Sequence, residues 1–339
     1  MDQFRKDHHY VPKLYLRQWA KDGKVATYRL LVSSDRHSEW KHQSLKGIAF
    51  HQHLYTYLAA QGDTDEFERW LDREFENPAE KAIRLAISDF PLRSEHWESL
   101  ARFVAAQDAR TPVRLREFII RQNSSLKFIM DEVMSGVEKK IEKYLSEGKR
   151  LSVEDKERFE SFPFKVKITS NSDGGSMIKA ETVVGRRLWL EVTRYLLTST
   201  IRHLIAHRWT ILKAPNGISW PTSDNPVIRL NFTDANNYDF GGGWGREGGD
   251  ILLPLSPKHL LYTQIGRKPW RRGKVLDVAQ AQLIKRMIIE HADRYVFAHE
   301  EFEISSIRPR VVCQEAFSRD QDFWKSWHRA QSEAEKELL

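Results

Sequence analysis

The chain has 339 residues, 40% hydrophobic and 30% charged, with a formal charge of +7 at pH 7. That balance excludes a disordered chain and a helical membrane protein: it supplies apolar surface for a large core, and no run approaches the roughly 18 apolar residues of a span. A single cysteine, Cys313, excludes an internal disulfide framework and a multi-cysteine zinc site, and so small a basic excess raises the prospect of a nucleic-acid partner only modestly.

The polar, charged start shows no signal-peptide pattern, so the expectation is a cytoplasmic protein without membrane contact. The first informative phrase is Asp7-His8-His9-Tyr10-Val11-Pro12. Neutral imidazole can take up a proton near pH 7, give one back, or ligate a metal. Adjacent residues point different ways in a strand or a helix, so at most one of the two histidines faces the core. Pro12 forces Val11 toward an extended conformation, which puts both on a rigid entry segment.

Residues 24–32 carry the β-formers Val25, Thr27, Leu31 and Val32 after an Asp22-Gly23 turn, and residues 40–58 mix β-formers with His42, His51 and His53; the reading is a small N-terminal sheet. Helices take over from residue 61. Thr64 and Asp65 can cap a helix carrying Phe67, Trp70, Leu71 and Phe75, and Pro78 can begin the next. Ser94 gives only a partial capping signal for the run Trp97, Leu100, Ala101, Val104. At Arg110-Thr111-Pro112 the helix must change, because an interior proline removes a hydrogen bond and clashes with the preceding turn. Thr111 as cap and Pro112 as first residue is a favoured start, so two helices meet at Arg110, the second running to about residue 144.

Residues 148–185 read as a polar excursion with a hairpin tip at Asn171-Ser172-Asp173-Gly174-Gly175, and 187–208 as helix. Strands follow at 209–212, 227–232, 250–253 and 259–265, then a helix at 278–291, a strand at 295–298 and a polar tail with Phe323 and Trp327. The order predicts one α+β domain over residues 1–339: a strand-rich start (1–60), a central helical layer (61–210), a C-terminal mixed or antiparallel sheet with its late helix (211–300), and a tail (301–339).

Four phrases occur in order: His8-His9-Tyr10-Val11-Pro12 with Tyr15-Leu16; Phe103-Val104-Ala105-Ala106-Gln107 with Arg110-Thr111-Pro112; Thr222-Ser223-Asp224-Asn225-Pro226-Val227; and Leu253-Pro254-Leu255-Ser256-Pro257. Over residues 8–300 this resembles a bacterial family known as domain of unknown function 4238. The resemblance implies no activity, substrate or catalytic residue; it marks these phrases as shared. One departure is Gln280 and Gln282 where an asparagine is expected near the start of the late helix.

His8 and His9 are candidates for acid/base work or metal ligation, against a reading in which one is buried on backbone partners and the other solvated. Gln107, Arg110 and Arg114 would share a face of a continuous helix, and Arg110 at a break beside unpaired N–H groups suits phosphate, or else bridges two helices. Ser223-Asp224-Asn225-Pro226 is a turn signature that sets Asp224 at a strand end, where it could orient a histidine, hold a metal or hold Arg110, with Asn225 beside it for substrate. In Arg267-Lys268-Pro269-Trp270-Arg271-Arg272, Arg271 and Arg272 can meet a nucleic-acid backbone and Trp270 can stack on a base; the plain alternative is an exposed basic loop.

Three weaker patterns are present. Arg202 and His207 resemble the arginine–histidine signature of the helical HEPN ribonucleases, but five residues put them about 140° apart on a helix. His51 and His53 share a strand face and with His8 or His9 could make a three-histidine metal site. Gly241-Gly242-Gly243-Trp244-Gly245 lacks the Gly-Lys-Ser/Thr of a phosphate loop and reads as a flexible loop.

The resulting expectation is a hydrolase, a phosphodiesterase-like nuclease acting on RNA or DNA in bacterial stress or phage defence. A histidine is its acid/base, the arginines steady phosphate charge, and Asp224 orients a histidine or holds a divalent metal ion. The alternative is a non-enzymatic sensor or interaction protein whose shared phrases are structural. Burial of His8, His9, Arg110 and Asp224 in mutual bonds favours the second; an open pocket lined by them favours the first.

Overall fold

The computed structural model describes residues 4–59, 61–125, 143, 146–147, 164–170 and 176–337. It is an α+β fold whose strand-forming block between residues 210 and 264 builds the largest sheet. Its antiparallel strands are ordered Thr210–Lys213, His259–Gln264, Asp250–Ser256, Ile228–Asp234, Asn237–Asp239. Asp250–Ser256 is buried along its whole length, which explains its near-continuous apolar run. Period-two alternation splits the sheet's side chains. Leu212, Leu230, Leu252 and Leu260 pack with Ala281, Met287 and Ile288 of the late helix, whereas Ile211, Ile251, Leu253 and Leu261 join the main core with Phe67, Leu100 and Val104.

The second sheet departs from the sequence reading. Lys24–Arg29 and Trp40–Ser44 do not close an N-terminal sheet; they complete one begun by Thr222–Ser223 and Tyr295–Ala298, with Lys24–Arg29 paired to Tyr295–Ala298. Turn residues and alternation report that a strand exists. Its partner is set by which faces are buried together, and that is not written locally. The opening strand Asp7–His9 instead pairs with Phe50–Gln52, His8 opposite His51 and His9 opposite Phe50.

Asp65 stands at the N-cap of Glu66–Leu71, and Thr64 Oγ1 accepts the Glu66 N–H at 3.2 Å. The helical run then passes through a π-helical turn, Asp72–Glu76, into Asn77–Ile87. A second π turn, Leu196–Thr200, follows Arg186–Tyr195. Such turns cluster at functional sites because the added residue re-aims the side chains around it, and each of these borders a cavity described below. Ser94–Ala109 ends at Arg110 and the chain is helical again from 112 to 125, the break that Thr111-Pro112 predicts. The reading of that helix beyond 125, and the hairpin tip at 171–175, fall outside the described residues; the hairpin's strands Phe164–Ser170 and Ser176–Thr182 do pair.

The polar tail is also a correction. Gln314–Lys336 is a helix with Cys313 at its N-cap. Trp327 is buried, and Glu335 meets Arg186 at 2.8 Å, both side chains almost wholly inaccessible. Its aromatic stripe is narrow against many charges, which hides the helix from a hydrophobicity reading. Among the described residues no helix is long and apolar enough to cross a membrane.

The shared phrases knit to one another. The Tyr15 hydroxyl donates to the Pro254 carbonyl at 2.6 Å and lies 2.7 Å from Thr222 Oγ1, joining three of them. Gln107 Nε2 donates to the Tyr10 carbonyl at 2.7 Å, and just outside the phrases the Trp19 indole N–H donates to the Trp220 carbonyl at 2.8 Å. Tyr15→Phe is expected to cost about 1–3 kcal/mol, because it leaves buried acceptors unpaired. Urea melts should show a lower midpoint at constant slope; an unmoved midpoint would mean the hydroxyl holds nothing together.

Candidate active site

Alternation along Asp7–His9 sends the two histidines to different places. His8 is fully buried. Its Nδ1 accepts the Tyr55 N–H at 2.9 Å, its Nε2 lies 3.0 Å from the Arg5 carbonyl, and its ring stacks on Tyr55. Those bonds fix one neutral tautomer, and burial pulls the pKa down to about 4. His9 lines a cleft of about 560 Å³ that also receives Lys6, Lys13, Glu68, Asp72 and Glu76. Burial, then the Lys13 charge, lowers the His9 pKa to about 4, so this imidazole is neutral at pH 7 and free to accept a proton.

Beneath the cleft lies Arg110, 1% exposed. Its Nη1 meets Glu76 Oε1 at 2.6 Å, its Nη2 donates to the His9 carbonyl, and its own carbonyl accepts the Tyr55 hydroxyl at 2.8 Å. Glu68, Asp72 and Glu76 come from the helical run Glu66–Leu71 and its π turn. Burial holds the Glu68 carboxyl well above the usual carboxylate range, Arg110 opposing and Glu76 reinforcing the shift. Three buried polar atoms around this cleft have no hydrogen-bond partner among the described residues: His9 Nε2, Glu68 Oε2 and Arg110 Nε. A neutral imidazole and a protonated carboxylic acid in one cleft, their pKa values pushed apart, form the pairing expected of a base and an acid.

The other sequence candidates lie elsewhere. Asp224 accepts the backbone N–H groups of Asp293 (2.8 Å), Arg294 (2.7 Å) and Tyr295 (3.2 Å), capping the reversal between the late helix and its strand. Burial, then Asp293, raises its pKa, and it touches neither histidine among the described residues. Asn225 Nδ2 donates to His291 Nε2 at 3.2 Å, and His291 Nδ1 donates to the Asn225 carbonyl at 2.9 Å. Gln107 holds the opening strand, as given above. Arg114 turns away from Arg110 to Asp108 at 2.7 Å and Glu117 at 2.7 Å. Trp270 stacks on Tyr262 with Lys274 Nζ 4.0 Å from its ring centre, Arg272 donates to the Phe90 carbonyl at 2.6 Å, and Arg271 is exposed. So the structure brings together His9 and Arg110, holds His8 and Gln107 in the framework beside them, and places Asp224 and Asn225 at a separate turn against the late helix.

The weaker patterns dissolve. His207 lies beyond the short helix Arg202–Ile205 and bonds the Trp244 carbonyl at 2.6 Å. His51 stacks on Trp324 and His53 on His328, each ring within 4.0 Å. Among the described residues no three His, Cys, Asp or Glu are placed to hold a metal ion, and in the cleft Asp72 is taken by Arg5 at 2.9 Å and Glu76 by Arg110. Ser256, His259 and Asp89 also form a line, but Ser256 Oγ accepts the N–H groups of Lys258 (3.2 Å) and His259 (3.1 Å), so it closes the hairpin turn. Sequence reasoning missed Glu68 and Glu76. Their signal was a charged stripe, Glu68-Asp72-Glu76 at steps of four, beside the apolar face.

Buried neutral histidines make the fold acid-sensitive. Burial lowers His8, His9 and His291 to about 4 and His51 to about 3. Unfolded histidine titrates near 6.5, so between about pH 6.5 and pH 4 the unfolded chain binds protons the native state does not. Stability therefore falls as pH falls through that window, by up to about 1.4 kcal/mol per unit per histidine. Melting temperatures taken at pH 7, 6 and 5 should drop progressively; a flat series would contradict the burial.

Neither the curated proteins nor the solved structures hold a significant match to this chain. One family model matches residues 7–302, a span that includes the four phrases and the His9 cleft and stops short of the C-terminal helix. Its description is a protein of unknown function, DUF4238, and the chain belongs to that family.

Proposed function

We propose that the protein is a phosphodiesterase-like hydrolase acting on RNA at the His9 cleft. The observation that carries this reading is the pair of unpartnered buried atoms, His9 Nε2 and Glu68 Oε2, beside one open cavity and above Arg110. RNA contains its own nucleophile, so a base and an acid suffice. His9 Nε2 takes the 2′-hydroxyl proton as O2′ bonds to phosphorus. The P–O5′ bond breaks, and Glu68 gives its proton to O5′, leaving a 2′,3′-cyclic phosphate and a 5′-hydroxyl. Lys6 and Lys13 at the cleft attract the backbone, and Arg110 holds His9 in place through its carbonyl. Toxicity on expression in bacteria is the cellular counterpart, in keeping with a stress or phage-defence role.

The test is cleavage of labelled single-stranded RNA by the wild type, His9→Ala and Glu68→Gln, with end-group analysis of the products. Cyclic phosphate formed by the wild type and lost in both variants supports the reading; a wild type inert toward RNA removes it. The basic loop gives an independent check. Arg271→Ala with Arg272→Ala should weaken binding to every RNA sequence alike and flatten its salt dependence, by roughly one phosphate contact for each charge lost. Unchanged binding would place the RNA elsewhere.

A second reading has an observation of its own. The shared-phrase residues His8, Gln107, Arg110, Asp224 and Tyr15 spend their polar groups largely on backbone partners. If the His9 cleft proves inert, those phrases are the framework of an interaction protein, and the variants above lose stability without any catalytic effect.

A further inference from the structure

Where Arg114 turns from the break at Arg110, it enters a second cavity of about 550 Å³ that shares no lining residue with the His9 cleft. Its walls come from the helix restart (Arg114, Arg121), the second π turn, His203, the strand residue Arg229 and the loop residue Trp244. One buried carboxylate organises it. Asp108 accepts from Arg114 Nε at 3.0 Å and Nη2 at 2.7 Å, from the Trp244 indole N–H at 2.8 Å, and faces Arg229 Nη1 at 3.4 Å. Burial pushes the Asp108 carboxyl up, but Arg114 and Arg229 outweigh it and hold the group ionised.

The glycine-rich run, a loop as the sequence predicts, explains how Trp244 gets there. Gly242 is buried, and a Cβ on it would lie 2.8 Å from the Arg229 carbonyl carbon, so only glycine lets the loop lie down on this strand. His207 fastens the loop by its bond to the Trp244 carbonyl at 2.6 Å. The tryptophan is thus held at the cavity by the Gly242 packing on one side and the His207 bond on the other.

Charge remains after this bookkeeping. Arg114, Arg121 and Arg229 face Asp108 and Glu117, which leaves one cation in excess with His203 beside it. Arg121 makes no ion pair among the described residues. Arg229 lines the cavity, and its Nε has no hydrogen-bond partner among the described residues. A buried guanidinium donor beside an excess cation calls for an anion with several acceptor oxygens. The Trp244 wall and a volume within the usual 300–1,000 Å³ of ligand pockets call for a planar group attached to it.

We infer that this second cavity is a binding site for a mononucleotide, its phosphate held by Arg121 and Arg229 and its base against Trp244. The inference does not depend on the chemistry assigned to the His9 cleft. The test is isothermal titration of the full chain with 5′-AMP, 5′-GMP, 5′-CMP and 5′-UMP, and with inorganic phosphate. At least one mononucleotide should bind well above inorganic phosphate, and its binding should weaken with added salt. Arg121→Ala removes an exposed side chain, so folding should survive while affinity falls about tenfold, as expected for one charge-assisted contact. Trp244→Leu should lower mononucleotide affinity while leaving weak phosphate binding intact. His9→Ala and Glu68→Gln should bind as the wild type does, which separates failure here from failure of the RNase reading. The inference is overturned if no mononucleotide binds at millimolar concentration, if inorganic phosphate binds as well as the best of them, or if Arg121→Ala binds like the wild type.

Discussion

Arg110→Ala should lower folding stability by about 3–5 kcal/mol, the loss that follows when one partner of a buried ion pair is removed. The guanidinium is 1% exposed and the Glu76 side chain 13%, so truncation strands a carboxylate in a site with little water. It also strips the His9 carbonyl of its donor and leaves Glu68 without the charge that opposes its desolvation. Arg110→Lys should recover little. One ammonium cannot reproduce the fork that reaches Glu76 with one nitrogen and His9 with another. Arg110→Met combined with Glu76→Leu should be much more stable than Arg110→Ala, since neither charge is then left alone. Denaturant melts decide it: a loss below about 1 kcal/mol for Arg110→Ala would show that the arginine is not structural, and would return it to the role of a phosphate ligand.

The sequence displayed the break that frames this pair and concealed the pair itself. Proline at 112 cannot continue a helix, so the junction at Arg110 is readable from one residue type. Asp277 and Gln280, reciprocal caps, likewise mark the start of Val278–His291. The alternation argument for His8 and His9 holds in that they serve different surroundings, though both end with little exposure. Glu76 was beyond such reasoning, because a carboxylate on a helix facing an arginine 34 residues away leaves no local trace. The π turn at Asp72–Glu76 hides the site further by shifting the register of the face that carries it. The same limit applies to Asp108, whose three partners come from a helix restart, a strand and a glycine-rich loop, and to Glu335, which reaches Arg186 across 149 residues. Local rules locate elements and caps; long-range polar partners arise from how the elements stack.

Glu68→Gln should lower RNA cleavage by about 10²–10⁴-fold while leaving the fold at least as stable as before. The sign follows from the raised pKa. A carboxyl whose folded pKa lies above its unfolded value costs stability as pH rises through that interval, because the native state must keep a proton the unfolded chain gives up. Glutamine resembles the protonated acid in shape and has no such proton to lose, so the variant should match the wild type only below the unfolded carboxylate range, near pH 4, already exceed it at pH 6, and exceed it further at pH 8. Catalysis moves the other way. The amide can donate a hydrogen bond but cannot deliver a proton to a departing O5′, and loss of a general acid lowers the rate by about 10²–10⁴-fold. The pH profile gives the sharper reading. The acid limb set by His9 lies near pH 4, where the buried histidines already undermine the fold, so the informative side is the alkaline one. Wild-type kcat/KM should decline as Glu68 loses its proton, at a pH well above the usual carboxylate range, and the residual activity of Glu68→Gln should lose that decline. His9→Ala should keep the alkaline limb at a much lower rate, and the double variant should fall little below either single one if acid and base serve one step. A Glu68→Gln protein that cleaves at the wild-type rate with the same alkaline limb would take Glu68 out of the chemistry and leave His9 without the acid its reaction needs.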